Sequence, residues 1–332
     1  MHTEIQTATE LLAANYEAAR KAFKWKTTLL TKLSALIFAL EGKPLDTAAV
    51  EENVARIKAE CGAFSWLRGN SELPVATLMA LSGDGETLLR DTLAVFRLLK
   101  DEKFGGSDYT VLAACLIARR ADWVEYDAIA RRARELYRAM REEHRFLTGQ
   151  DDYIMACLLA ADDREPSDAA RRMEELYAPL KERFHSGNMV QALAQILTLS
   201  RAEDSVLPRL TDLYERFRAQ KFDFRSGYTL PSLGMLALQA APAEQVVADV
   251  VSAEQHLKAQ KGFGGFSSSK QERLLFSSAI AACVYARDAE QRELAQGQTA
   301  AAVTALVIAE QTAVLCAICA AGMVAAASSA SS

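Results

Sequence analysis

Phe104-Gly-Gly-Ser-Asp-Tyr109 opens a stretch that continues as the apolar run Val111-Leu-Ala-Ala-Cys-Leu-Ile-Ala118, a polar break at Arg120-Ala-Asp122 and a charged run over 126–141. At Phe146 the same succession begins again. Working outward, an aromatic follows each charged run at Phe23, Phe64, Phe104, Phe146, Phe184, Phe222 and Phe263, with spacings of 41, 40, 42, 38, 38 and 41 residues. A period of this size marks a repeat architecture in which each unit is one supersecondary element. Small-residue turns follow most of these aromatics: Arg68-Gly-Asn70, Gly105-Gly-Ser-Asp108, Thr148-Gly-Gln-Asp151, Ser186-Gly-Asn188, Arg225-Ser-Gly227 and Gly264-Gly265. Gly lets the backbone turn, and Ser, Asp or Asn caps the helix that follows.

Two kinds of helix alternate within the repeat. The first, A, is represented by 111–118, 154–161 and 233–238, apolar on nearly every side and therefore expected to be buried on nearly every side. The second, B, is represented by 126–141, 169–183 and 207–220, with Leu, Met or Tyr at helical spacing and Arg, Lys and Glu between them. That pattern predicts one buried and one wet face. Phe96, Tyr137, Tyr177 and Tyr214 fall 7 to 9 residues before the next aromatic and read as core residues stapling B to A. Leu112, Leu116, Met155, Leu159, Leu233 and Leu236 should be buried, and Arg131, Arg138, Arg171 and Arg218 wet. The fold class is all-α, built of tandem αα-hairpins of about 40 residues in one helical-repeat domain over 1–332. The A helices look too apolar to leave a face in water, which favours an α/α toroid; an open α-solenoid is the alternative.

Along the chain, 4–22 reads as an opening helix and 25–40 as the first A helix, with Asp46 capping a helix over 50–60. Pro74 suits a helix's first turn. The last A helix is expected over 269–286, followed by a polar stretch, 287–298, an Ala-rich segment, 299–327, and a Ser/Ala tail, 328–332. The uninterrupted apolar part of that segment, 312–327, falls short of a membrane span. Of six Cys, Cys115, Cys157 and Cys283 lie in apolar helices and read as small hydrophobes. Cys316 and Cys319 form a Cys-x-x-Cys on a helix with no βαβ context and no second pair, which supports neither a redox nor a zinc reading.

Composition is that of a globular protein, with formal net charge −5 and basic residues spread over the B helices, so nucleic-acid binding through a broad basic face is not indicated. The opening Met1-His-Thr-Glu-Ile-Gln6 has no basic region leading into an apolar core, and a reduced, cytoplasmic protein is expected. The four His, at 2, 144, 185 and 256, form no metal motif, and neither a phosphate loop nor a nucleophile elbow is present. The pairs Asp151-Asp152 and Asp162-Asp163 read as caps rather than as a metal motif. No metal and no cofactor is expected.

Phe104-Gly-Gly and 258–265 weakly resemble the turns of prenyltransferase and terpenoid-cyclase toroids, without the cyclases' acidic motif or a zinc set, so that resemblance bears on architecture alone. Phe23-Lys-Trp-Lys26, Phe64-Ser-Trp-Leu-Arg-Gly-Asn70, Lys103-Phe-Gly-Gly-Ser-Asp-Tyr109 and the Ala-rich end closing in Ser-Ser-Ala-Ser-Ser resemble the bacterial proteins grouped as domain of unknown function 4003. The resemblance covers nearly the whole chain and implies a bacterial cytoplasmic protein with no assigned activity, cofactor or site.

Two functions fit. The first is a non-catalytic helical-repeat protein binding a partner protein or small-molecule ligand at the rim where the A helices begin. The second is an enzyme with a pocket at a toroid mouth, acting on an anionic or apolar small molecule. Helix N-termini carry free N–H groups and partial positive charge, so the A-start rim is the candidate site. Its residues are Arg68, Asn70, Asp108, Tyr109, Asp152, Tyr153, His185, Asn188, Arg225, Tyr228 and Lys270, with Arg68, Tyr109 and Arg225 foremost. The A-to-B loops, with Asp84, Asp122, Asp162 and Asp204, read as solvated acidic turns.

Overall fold

The computed structural model describes residues 1–295 except 64, 163, 186 and 226–228, with side chains through 288. Within them the chain forms fourteen α-helices and no strand. In chain order these are α1 (Thr3–Ala22), α2 (Thr28–Leu40), α3 (Thr47–Glu60), α4 (Glu72–Leu81), α5 (Gly85–Asp101), α6 (Asp108–Arg120) and α7 (Tyr126–Glu143). There follow α8 (Tyr153–Ala160), α9 (Pro166–Phe184), α10 (Gly187–Leu199), α11 (Val206–Ala219), α12 (Leu230–Ala237), α13 (Ala243–Ala259) and α14 (Lys270–Ala295). The even-numbered helices are the apolar A helices and the odd-numbered ones the amphipathic B helices. All eight residues of α8 and all eight of α12 are buried, whereas α7 buries Ile129, Ala133, Leu136 and Met140 and leaves Arg131 and Arg138 in water. The six A-helix residues expected inside are buried, and Arg171 and Arg218 are exposed as well.

Local chemistry explains the boundaries. Asp46 Oδ1 accepts from Ala49 N–H (2.9 Å) and Asp84 Oδ1 from Thr87 N–H (3.0 Å), starting α3 and α5. Pro166 stands first in α9, where its missing N–H costs nothing. Two B helices end on left-handed lysines, Lys103 (φ 66°) and Lys221 (φ 64°). The aromatic after each bonds back, Phe104 N–H to Leu99 O (3.0 Å) and Phe222 N–H to Phe217 O (2.9 Å), a Schellman closure that turns the ring inward. At the far end of the hairpins another device recurs: Arg132 Nε reaches Ala160 O (2.9 Å) and Arg209 Nε reaches Ala237 O (3.0 Å), so a B-helix arginine caps the end of an A helix.

The chain divides into two compact units, 46–175 and the discontinuous set 1–45 with 176–332. In the first, hereafter the inserted unit, α4, α6 and α8 form the buried core, and Cys115 and Cys157 are free thiols packed within it. Burial pushes the Cys115 thiol up to about 11 and raises that of Cys157 further.

The second, split unit brings α1 and α2 against α13 and α14. Lys32, in an otherwise apolar A helix, is fully buried: its Nζ donates to Ser267 O (2.8 Å) and Glu272 Oε1 (2.9 Å) and lies 5.4 Å from the centre of the Tyr16 ring and 5.0 Å from that of Phe263. Close by, the buried pair Arg273–Glu254 (2.7 Å) is completed by donation from Arg273 Nη1 to Phe263 O and Ser268 O, so that the charge is compensated where water is absent. Asp249, also buried, accepts from His2 N–H (2.8 Å) and Tyr285 O–H (2.6 Å).

Three details differ from the sequence reading. Phe146 is not a core aromatic but is 97 % exposed. Its spacings of 42 and 38 become 40 and 40 when the register residue is His144, which occupies the C-cap of α7 and places Nε2 2.8 Å from Glu174 Oε1. Second, Phe96 and Tyr177 are only half-buried, while Tyr137 and Tyr214 are core residues as expected. Third, α14 runs on to Ala295, because 287–295 holds polar residues but no Gly or Pro, and polar helix formers do not end a helix. The Ala-rich segment, Cys316 and Cys319 lie outside the described residues, among which no helix is long and apolar enough to cross a membrane.

Candidate functional site

The expected site residues sit in the turns that lead into the A helices, and the two units use them differently. In the inserted unit several of them brace one turn against the next. Asp108 Oδ1 accepts from Ser71 N–H (2.9 Å) in the preceding turn. Tyr153 O–H accepts from Gly105 N–H (3.2 Å), and its ring packs edge-on against Phe104 (4.8 Å) and Tyr137 (4.9 Å). Burial, with Tyr153 beside it, pushes the Tyr137 hydroxyl up to about 12. Asp152 accepts from Gly149 N–H (2.8 Å), and burial raises the Asp151 carboxyl.

The Gly105-Gly106 pair belongs to the same bracing. Neither glycine has a positive φ. A Cβ on Gly105 would lie 2.8 Å from Gln150 Nε2, and one on Gly106 2.4 Å from Trp66 Nε1. The pair therefore exists to admit side chains from the turns on either side, a role beyond the turning one expected from sequence. Of the remaining candidates here, Arg68 and Tyr109 are half-buried and Asn70 is exposed.

In the split unit the candidates are more open. His185 (φ 62°), Asn188, Arg225 and Lys270 are exposed, and Tyr228 lies outside the described residues. Lys270 Nζ stands 3.8 Å over the Phe222 ring and donates to Lys221 O (2.6 Å). Arg225 and Arg183 each lie 5.7 Å from the centre of the Tyr214 ring. Arg225 pairs with Asp223 (3.3 Å) and Arg183 with Glu215. Tyr214 packs edge-on against Phe184, and its buried hydroxyl has no hydrogen-bond partner among the described residues. Burial raises that hydroxyl's pKa, Asp223 adds to the effect and Arg225 opposes it.

Charge separates the two ends of the split unit's hairpins. The segments entering the A helices, 20–27, 181–188, 216–229 and 258–272, hold thirteen Lys and Arg against three Asp and Glu. Part of that excess is met by Glu17, Asp212 and Glu215 on the adjoining helix turns, which pair with Arg20 and Lys261, with Arg216 and with Arg183. The opposite loops, 1–4, 41–45, 200–206, 239–245 and 286–288, hold three against six. In the inserted unit the corresponding entering segments, 56–72, 97–108 and 138–152, are balanced at nine against nine.

A sequence model for a family described as protein of unknown function (DUF4003) matches residues 15–313. The chain belongs to that family. The match takes in both units of this DUF4003 protein, from the middle of α1 to beyond α14. Comparison with curated proteins and with solved structures returned no match.

Sequence reasoning missed Arg183, Tyr214 as the ring shared by two arginines, and the buried Lys32. The available signals were the adjacency of Arg183 to the aromatic Phe184 and the presence of a lone lysine in an apolar helix. Among the described residues no group of three or more His, Cys, Asp or Glu is placed to hold a metal ion.

Proposed function

We propose that this protein is a non-catalytic binding module and that the end of its split unit where the A helices begin takes an anionic partner. The observation that carries this reading is the charge partition, thirteen basic to three acidic residues at that end against three to six at the other, in a chain of net charge −5. A surface of one sign raises the local concentration of its counter-ion and speeds association. The N-termini of α10, α12 and α14 add partial positive charge on the same side of their hairpins. Arg183 and Arg225, held over Tyr214, are the foremost contacts.

The test is titration with inorganic polyphosphate as a generic polyanion, read by calorimetry at several salt concentrations. Arg183→Ala/Arg225→Ala should lower affinity about tenfold and reduce the salt dependence, as expected when two charge-assisted contacts of about 0.7 kcal/mol each are lost. Lys43→Ala/Arg201→Ala, at the opposite end, should leave it unchanged. Equal loss in both variants would defeat the assignment. Arg68→Ala reports whether the inserted unit contributes.

A further inference from the structure

We infer that the anionic partner of this end is a lipid bilayer surface, entered by Trp25 and Phe266. This rests on the anionic-partner reading above and adds to it the class of partner. Trp25 is 97 % exposed, in the turn between α1 and α2, and Phe266 is fully exposed, in the turn between α13 and α14. Large aromatic side chains left bare at turn apices give up the burial that would otherwise stabilise them.

Neither turn is loose. Lys26 N–H closes on Phe23 O (3.0 Å) around Trp25. Beside Phe266, Ser267 N–H and Ser268 N–H both close on Gly264 O (2.9 and 3.0 Å). Lys32 Nζ pins Ser267 O (2.8 Å) and Arg273 pins Ser268 O (2.6 Å) from below. The Lys32 bond also joins the two turns, since it runs from the first turns of α2 to the loop carrying Phe266. The two aromatics are thus held outward on neighbouring hairpins.

Their surroundings are lysines: Lys24 and Lys26 flank Trp25, and Lys258, Lys261 and Lys270 flank Phe266. Some of this charge is shared internally, as Lys261 stands 3.6 Å from Glu17 and Lys270 caps Lys221. Amphipathic aromatics at the level of the headgroups, set among flexible ammonium groups, are the arrangement an anionic interface takes up. Single-stranded nucleic acid instead calls for a groove in which successive bases stack on aromatics. Here the aromatics are turn apices exposed almost completely, and the cations nearest them in sequence are point-like lysines, the Arg183 and Arg225 pair standing on other hairpins. The inserted unit also exposes Trp66 (52 %) and Phe146, but its corresponding segments carry no charge excess, so the surface is assigned to the split unit alone.

The experiment is flotation of the full chain with phosphatidylcholine vesicles containing about a third phosphatidylserine, against pure phosphatidylcholine vesicles. Trp66→Phe/Trp123→Phe leaves Trp25 as the sole tryptophan and reports its surroundings by fluorescence. Binding to the anionic vesicles, a blue shift of Trp25 and about a tenfold loss of partition in Trp25→Ala/Phe266→Ala are expected. Because both side chains are exposed, circular dichroism of that variant should match the parent. Unshifted emission and undiminished binding in the aromatic variant would overturn bilayer entry while leaving the anionic-partner reading intact. Binding to a single-stranded oligonucleotide with none to vesicles would overturn it in favour of nucleic acid. Failure to bind vesicles, oligonucleotide and polyphosphate alike would remove both readings.

Discussion

Gly262→Ala should be the most damaging glycine substitution in the turns, and its cost can be built from two separable parts. Gly262 has φ +87°, where an L side chain strains the backbone by about 1–2 kcal/mol. A Cβ there would also lie 2.2 Å from Tyr16 Cε1 and 2.8 Å from Tyr16 Cδ1. Tyr16 is buried, edge-on to Phe263 at 5.3 Å and beside the Lys32 ammonium, so it has no free direction in which to retreat. Overpacking of this kind adds about 1–3 kcal/mol, for a total of about 2–5 kcal/mol. Gly42 (φ +66°) and Gly83 (φ +79°) share the backbone strain but have nothing within 4 Å of the added atom. Their Ala variants should lose only the first part, about 1–2 kcal/mol. Urea unfolding followed by circular dichroism measures all three, and a Tyr16→Leu background should recover part of the Gly262→Ala loss as a coupling. If Gly262→Ala costs no more than Gly42→Ala and Gly83→Ala, the close approach to Tyr16 is not what requires glycine.

Other outcomes follow from the same packing. Leu116→Ala and Leu159→Ala, each about 1 % exposed, should cost about 2–5 kcal/mol by thermal or urea denaturation. Lys103→Gly and Lys221→Gly should each stabilise by about 1 kcal/mol, since glycine removes the left-handed strain at the helix ends without touching the Schellman bonds. The Tyr137 hydroxyl is raised in the folded state from its ordinary 10.0 to about 12, so the folded chain holds that proton after the unfolded chain has lost it. Its contribution is fully present below pH 10 and is lost as pH rises toward 12. Denaturation midpoints should fall over that window, and less steeply in Tyr137→Phe. Cys115 and Cys157, buried and with raised thiol pKa values, should resist iodoacetamide in the folded protein and react once it is unfolded, as read by peptide mass spectrometry.

The architecture was legible because the 40-residue period and the contrast between A and B runs are statements about which faces need burial, and those survive without coordinates. The start of α3 came out within a few residues because Asp46 declares itself as a cap. Phe146 misleads because aromatic identity does not mark register: the C-cap position belongs to His144. Lys32 escaped notice because a single charge in an apolar helix carries no mark of its partners 235 and 240 residues away. In sequence each turn residue reads as a cap or contact within its own turn, while Asp108 and Tyr153 act between turns, a relation that only proximity in space reveals. The charge partition was present in the sequence all along, but it becomes visible only after each lysine is assigned to one end of its hairpin.

The split composition of the unit that holds Lys32 sets an order of events during synthesis. Residues 46–175 are contiguous and can collapse as they leave the ribosome, whereas α2 must wait for a carbonyl 235 residues further on. At roughly 5–20 residues per second that delay is on the order of 10–50 s. Over that interval the run Leu33-Ser-Ala-Leu-Ile-Phe-Ala-Leu40 has α1 to pack against but not α14. Until then the Lys32 ammonium lacks the partners that compensate its charge, and it can be buried dry only when the last hairpin brings Ser267 O and Glu272 to receive it.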